Sequence, residues 1–134
     1  MYKFSKSSLE KLATCDVKLQ HLFMEVIKKV DCIVICGERG EQAQNEAYRN
    51  GFSKLKFPNG KHNKHPSLAI DVMPYFKEFP HVRWNDEDAC KKFAKIVLNT
   101  AEELGIKIRW GGDWNMNGIE DDNWYDRPHF ELIK

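Results

Sequence analysis

The segment KHNKHPSLAIDVMPY, residues 61–75, contains three residues of the types that bind zinc. These are His62, His65 and Asp71, since imidazole nitrogens and carboxylate oxygens are common zinc ligands. Asp71 interrupts an apolar strand pattern and points to the face opposite its apolar neighbours. A buried carboxylate is costly unless a cation compensates it, so the position favours a metal ligand. The alternative is that these residues face solvent beside a strand.

A second group of such residues lies near the end of the chain, in YDRPHFEL. Asp126 and His129 are three positions apart at the start of a predicted strand, close enough to share one site. A zinc peptidase needs three protein ligands, an open position for water and a nearby carboxylate that accepts the proton of water. The two segments together can supply this set. Considered singly, His129 could be a surface histidine in a loop, and Asp126 could be an aspartate that caps a turn.

The segment DWNMNGIEDD, residues 113–122, begins like a calcium-binding loop. Oxygen-bearing side chains occur at Asp113, Asn115 and Asn117, and the following glycine permits a sharp turn. The twelfth position holds Trp124 where such loops carry a bidentate glutamate. The alternative is a turn that binds no ion, since asparagine and glycine are also common turn residues. A calcium ion here would order the chain that leads into the second group of candidate ligands.

Hydrophobic periodicity predicts three helices and four strands. A helix capped by Ser7 or Ser8 carries an apolar stripe as far as Val30. Two further helices are predicted for EQAQNEAYRNG and, from Asn85 or Asp86, for NDEDACKKFAKIVLNTAEELG. Strands are predicted for CIVIC, LAIDVMPY, IKIRW and HFELI. Because helices and strands do not alternate regularly, the predicted class is α+β, with a small antiparallel sheet packed against helices.

Length and composition limit the class of protein. The 134 residues are expected to form one domain, residues 1–134, since a single core typically organises about 100–200 residues. A hydrophobic content of 42% excludes a disordered chain, and a formal charge of +1 offers no basic surface for nucleic acid. The amino-terminal residues lack the apolar segment of a signal peptide, and no apolar run approaches the roughly 18 residues of a membrane span. We therefore expect synthesis in a cytoplasm, without nucleic acid or membrane partners.

The four cysteines, at positions 15, 32, 36 and 90, are expected to be reduced in such a compartment. They do not show the CxxC spacing of a zinc site. Cys32 and Cys36 fall on one face of the strand CIVIC, where buried free thiols behave as small hydrophobic groups.

Four motifs in a fixed order give the chain a resemblance to a known family. They are CGERGEQAQNEAYRNGFSKLK, KHNKHPSLAIDVMPY, LGIKIRWGGDWN and YDRPHFEL. The chain resembles the zinc-dependent D-alanyl-D-alanine carboxypeptidases and the L-alanyl-D-glutamate endopeptidases of phage lysis, the VanY-like and endolysin branch of the hedgehog-type fold. The resemblance covers most of the chain. It implies a DD-peptidase-like α+β fold, one catalytic zinc ion and peptidoglycan peptides as substrate.

The resemblance also implies roles for individual residues. Asp71 and His129 correspond to the second and third zinc ligands, and Asp126 corresponds to the carboxylate base. Arg39, in the Gly-x-Arg motif, would polarise the scissile carbonyl or stabilise the oxyanion. Gln44, on the following helix, would contact substrate, and a solvated helix residue is the alternative.

The first zinc ligand is His62 or His65. In the common family motif, S-x-H-x-x-G-x-A-x-D, the histidine precedes the aspartate by seven residues, whereas here His62 precedes Asp71 by nine and His65 by six. A longer variant resembling S-K-H-N-x-x-P-S-x-A-x-D matches His62, and Pro66 restricts the backbone of His65. The resemblance therefore favours His62. His65 is then expected at the rim of the site, in contact with substrate or with solvent.

These observations predict a monomeric zinc peptidase that cuts peptidoglycan stem peptides, as a phage endolysin cuts the L-alanyl-D-glutamate bond. The enzymatic alternative is a D-alanyl-D-alanine carboxypeptidase or dipeptidase. The other alternative is a non-catalytic module that binds the cell wall or another ligand, which would have no reason to keep Asp126 three residues before His129. Lacking a signal peptide and a separate wall-binding domain, the enzyme is expected to be made in the host cytoplasm and to act on the wall after release.

Overall fold

The computed structural model describes residues 2–113, 116 and 126–133. Its helices are α1 Lys6–Leu12, α2 Val17–Val26, α3 Glu41–Arg49 and α4 Glu87–Leu104, with a 3₁₀ turn at Lys61–Asn63. Its strands are β1 Cys32–Cys36, β2 Ala69–Pro74, β3 Ile108–Trp110 and β4 His129–Leu132. None of the helices in the described part of the chain has the length and apolar character that a bilayer crossing requires.

The four strands form one antiparallel sheet in the order β1-β2-β4-β3. The predicted class, α+β with a small antiparallel sheet, is therefore confirmed. β2 lies inside the sheet between β1 and β4, and all six of its residues are buried. In the register between β2 and β4, Asp71 lies directly opposite His129 and Ile70 opposite Phe130.

Side-chain alternation along these strands separates a core face from a polar face. Ile70, Val72 and Phe130 belong to the hydrophobic core, together with residues of α2 and α4. Phe130 meets Phe23 and Phe93 edge-on, with ring centroids 5.8 and 6.0 Å apart. Burying side chains of this size contributes roughly 1.5–3 kcal/mol each. The residues between them face the other side of the sheet, where the candidate site lies.

The amino-terminal helix differs from the prediction. α1 is capped by Ser5, whose hydroxyl accepts from the backbone N–H of Ser8 at 3.1 Å, and not by Ser7 or Ser8. The segment predicted as one helix forms two. After α1 the chain turns away, Cys15 forms a β-bridge with Ser67, and the backbone N–H of Asp16 donates to the Ser67 carbonyl at 2.8 Å. The Asp16 side chain then caps α2.

The predicted boundaries of the later helices are confirmed. Asp86 caps α4 by accepting from the backbone N–H of Ala89 at 3.0 Å. Gly105 ends this helix with φ 72°, a left-handed conformation that glycine adopts at low cost. α3 is followed by Gly51, with φ 79°.

A bulge in β1 moves one cysteine to the polar face of the sheet. The four cysteines lie in the described part of the chain and form no disulfide, and Cys32 lies in the core as predicted. The register changes between Val34 and Cys36, so that Cys36 lies opposite Asp71. The prediction that Cys36 shares the core face with Cys32 is therefore wrong, since simple alternation does not account for the extra residue of a bulge.

Candidate metal centre

Three buried side chains converge on the polar face of the sheet. Nε2 of His62 lies 3.1 Å from Oδ1 of Asp71 and 3.2 Å from Nδ1 of His129. Nδ1 of His129 lies 3.4 Å from the same Asp71 oxygen. These three atoms therefore form a nearly equilateral triangle of potential ligands, suited to a metal ion.

The dimensions of this triangle fit zinc. A tetrahedral zinc ion with ligands at about 2.0–2.1 Å holds its donor atoms about 3.3–3.4 Å apart. The three separations, 3.1, 3.2 and 3.4 Å, are close to that value. Two imidazoles and one carboxylate form a donor set of the kind found in catalytic zinc sites, which keep a fourth position open.

Each ligand candidate comes from a different element. Asp71 and His129 are cross-strand neighbours in β2 and β4. His62 lies in the 3₁₀ turn, where its carbonyl accepts from the backbone N–H of Arg39 at 2.7 Å. Nδ1 of His62 lies 2.7 Å from the carbonyl oxygen of Gly37 and donates to it, which leaves Nε2 to face the cluster.

The electrostatics of the cluster favour a positive charge at its centre. Burial opposes the ionisation of Asp71, but the adjacent His62 and His129 hold the pKa of this carboxyl well below its usual range. Burial likewise opposes protonation of His62, but Asp71 raises the pKa of this imidazole to about 10. A divalent cation satisfies the same carboxylate and leaves both imidazoles neutral, as metal binding requires.

His65 lies away from this cluster. Its side chain is 85% exposed, and its Nδ1 lies 2.7 Å from a carboxylate oxygen of Glu38. The structure thus brings His62, and not His65, to Asp71 and His129.

Asp126 lies beside the cluster without joining the triangle. Its Oδ2 is 3.8 Å from Nδ1 of His129. Backbone hydrogen bonds hold it there, because the N–H of Asp126 donates to the Gly111 carbonyl at 2.8 Å and the N–H of His129 donates to the Asp126 carbonyl at 3.0 Å. A Cβ at position 111 would overlap that Asp126 carbonyl, so glycine is needed there. Burial, reinforced by the nearby Asp71 carboxylate, raises the pKa of Asp126 to about 6.

Arg39 connects the cluster to α3. Its Nη2 lies 3.2 Å from Oδ2 of Asp71, and its Nη1 donates to Oε1 of Gln44 at 3.0 Å. These contacts use two of the five N–H donors of a guanidinium. The side chain also lines a cavity of about 510 Å³ that opens beside His62, His129 and Asp126. Arg39 is thus positioned to act on a group bound in that cavity.

Gln44 is buried, so the alternative of a solvated helix residue is wrong. Its Nε2 donates to the Ser53 hydroxyl at 2.9 Å and to the Leu55 carbonyl at 2.5 Å. Its Oε1 accepts from Arg39 and, at 3.3 Å, from Asn63. An amide has two donor and two acceptor positions, and all four are occupied inside the protein.

Comparison with known proteins identifies the family. The family model described as phage L-alanyl-D-glutamate peptidase matches residues 1–133. The L-alanyl-D-glutamate peptidase of Escherichia phage T5 is 36% identical over 141 residues, covering 98% of each chain. The chain belongs to the phage L-alanyl-D-glutamate peptidase family. The predicted resemblance is therefore confirmed.

A solved structure has a similar fold. The L-Ala D-Glu endopeptidase ChiX of Serratia marcescens superposes on this chain with a TM-score of 0.75 and 25% sequence identity. The match covers 98% of this chain and 91% of ChiX. The four-stranded sheet and its helices thus follow an architecture known for peptidases.

The calcium hypothesis for this family member remains a prediction. Asp113 is described, and its backbone N–H donates to the Trp110 carbonyl at 3.0 Å. Asn115 and Asn117 lie outside the described residues.

Sequence reasoning missed Glu131, a buried carboxylate two residues after His129. Its Oε1 lies 2.8 Å from Nε2 of His129. The signal that would have found it is the alternation in HFEL, which places Glu131 on the same face as His129.

Proposed function

We propose that this chain is a zinc-dependent endopeptidase that hydrolyses the L-alanyl–D-glutamate bond of peptidoglycan stem peptides. Zinc would be held by His62, Asp71 and His129. The observation that carries the proposal is the triangle of three donor atoms beside an open cavity, with Asp126 at its edge. Membership of the phage peptidase family supports the choice of bond.

The residues around the triangle divide the chemistry between them. When bound, zinc supplies Lewis acidity and lowers the pKa of water towards about 7. Asp126 accepts the proton of the attacking water and returns it to the leaving amine of D-glutamate. Burial raises the pKa of Asp126 above that of a free carboxyl, which makes its carboxylate a stronger base for this transfer. Arg39 stabilises the negative charge that develops on the scissile carbonyl oxygen.

Digestion of purified sacculi tests this proposal directly. We expect mass spectrometry to find released peptides that begin with D-glutamate and glycan strands that keep L-alanine. A strong zinc chelator should abolish the release, and added zinc should restore it, because the metal ligands are protein side chains that remain after chelation. Release of terminal D-alanine in its place would assign the carboxypeptidase alternative. The absence of any cleavage by the zinc-loaded protein would leave only the binding module.

Replacing Arg39 tests the oxyanion role. We expect Arg39→Ala to lower kcat by about 10²-fold at saturating zinc, the loss found when a donor to a developing oxyanion is removed. Arg39→Lys should recover little of it, because an ammonium group cannot contact Asp71, Gln44 and a substrate oxygen with one planar fork. The measurement is steady-state cleavage of a stem-peptide substrate, with zinc content determined on the same samples.

Arg49 provides the matched control, since it is exposed at the end of α3. Arg49→Ala should leave kcat unchanged. Near-normal turnover of Arg39→Ala with full zinc would remove Arg39 from the mechanism.

A further inference from the structure

Glu131 links the two histidine-bearing segments of the candidate metal centre. It is only 5% exposed, and its Oε1 lies 2.8 Å from Nε2 of His129. Its Oε2 lies 2.7 Å from Nη2 of Arg109 and 3.1 Å from Nζ of Lys61. One buried carboxylate thus contacts an imidazole and a guanidinium through hydrogen bonds and forms an ion pair with an ammonium group.

The topology explains why these groups meet. Glu131 follows His129 by two residues in β4, so both side chains lie on the polar face. Arg109 is the cross-strand partner of Glu131 in β3. Lys61 immediately precedes His62 in the 3₁₀ turn, and its ammonium group also donates to the backbone carbonyl of Leu132. The contact between Lys61 and Glu131 therefore ties the turn of His62 to the strand of His129.

The contact with His129 has a chemical consequence. When Nε2 of an imidazole donates its proton to a carboxylate, the lone pair of the neutral ring is on Nδ1. In His129, Nδ1 is the atom that faces Asp71 and His62. A carboxylate partner also raises the basicity of the ligating nitrogen.

We propose that Glu131 is a positioning residue, which holds His129 with Nδ1 towards the metal and, through Lys61, sets the separation of His129 from His62. The inference rests on the proposed function of the three ligands as a zinc site. It differs from a purely structural ion pair, which would stabilise the fold without affecting the affinity for metal.

Glu131→Gln is the informative variant because it preserves size while removing the charge. We expect its zinc dissociation constant, measured by competition with a chromophoric chelator, to rise by about 10–100-fold. Glu103→Gln is the matched control. Glu103 is exposed on α4, and its carboxylate forms an ion pair with Lys29. Its zinc affinity should stay within about twofold of the wild type, as for surface substitutions in general.

The ring proton of His129 gives a second readout. In the zinc-loaded wild type, Nε2–H should give a downfield proton signal that exchanges slowly with water, because it is buried and donates to a carboxylate. In Glu131→Gln this signal should move upfield or exchange rapidly. If other contacts orient the His129 ring, Nε2–H should stay slowly exchanging in a Glu131→Gln variant that is still folded, as checked by circular dichroism.

A double-mutant cycle with Lys61→Met tests the link to the His62 segment. We expect Lys61→Met to weaken zinc binding when Glu131 is present. The same change should have little further effect in Glu131→Gln, because each substitution breaks the same Lys61–Glu131 ion pair. Should Glu131→Gln fail to fold, Lys61→Met alone still tests the link, with weaker zinc binding expected.

The outcomes separate this inference from the proposed function. Wild-type protein that binds no zinc would overturn the zinc site itself. Wild-type protein that binds zinc, with Glu131→Gln unchanged in affinity and in the His129 proton signal, would overturn only the role of Glu131.

Discussion

His62→Ala is expected to purify with little zinc and to show almost no peptidase activity. Nε2 of His62 is one corner of the donor triangle, at 3.1 and 3.2 Å from the other two donor atoms. Removing a partner that only orients a ligand typically costs 10–100-fold in metal affinity, so loss of a ligand should weaken binding by more than about 10²-fold. Excess zinc should restore activity only in part, because the remaining two ligands do not fix the geometry.

His65→Ala is the matched control for this experiment. It removes an imidazole only three residues away, whose side chain is 85% exposed and contacts Glu38. We expect stoichiometric zinc and activity within about twofold of the wild type, as for most exposed positions. Metal content is measured by atomic emission after dialysis. The reverse pattern would make His65 the ligand, and full zinc in both variants would remove the main support for the peptidase proposal.

Asp126→Asn is expected to keep its zinc and its fold and to lose turnover by about 10²–10⁴-fold, the contribution typical of a general base. The substitution keeps the backbone hydrogen bonds from Asp126 to Gly111 and from His129 to Asp126, so the placement of His129 should survive. An amide cannot accept the proton of water at neutral pH. The loss should therefore fall on kcat and not on KM.

Asp88→Asn provides the control, because Asp88 is exposed in the first turn of α4. Single-turnover cleavage and zinc content are measured on both variants. Loss of zinc from Asp126→Asn would identify Asp126 as a ligand and not a base. Turnover close to the wild-type value would mean that another group accepts the proton.

Local patterns in the sequence were sufficient for most of the secondary structure. Caps and stop signals such as Asp86 and Gly105 act within one helical turn, so they predicted α4 correctly. The first helix was predicted wrongly, because its break at Asp16 depends on a backbone bond to Ser67, 51 residues later in the chain. No local pattern reports such a bond.

The candidate site shows the same division. By itself, the sequence predicted the candidate ligands and the family. Alternation placed Asp71 on the face opposite its apolar neighbours, and four motifs in order indicated the peptidase family that the family model confirms. Only the tertiary structure decided that His62 and not His65 meets Asp71 and His129, since that choice depends on where the Gly37 carbonyl and the Arg39 N–H hold the turn. The tertiary structure also showed that Gln44 is buried and that the Glu131 carboxylate contacts Nε2 of His129. The physical reason is that a side chain's direction follows from its backbone, and here long-range hydrogen bonds between distant segments set that backbone.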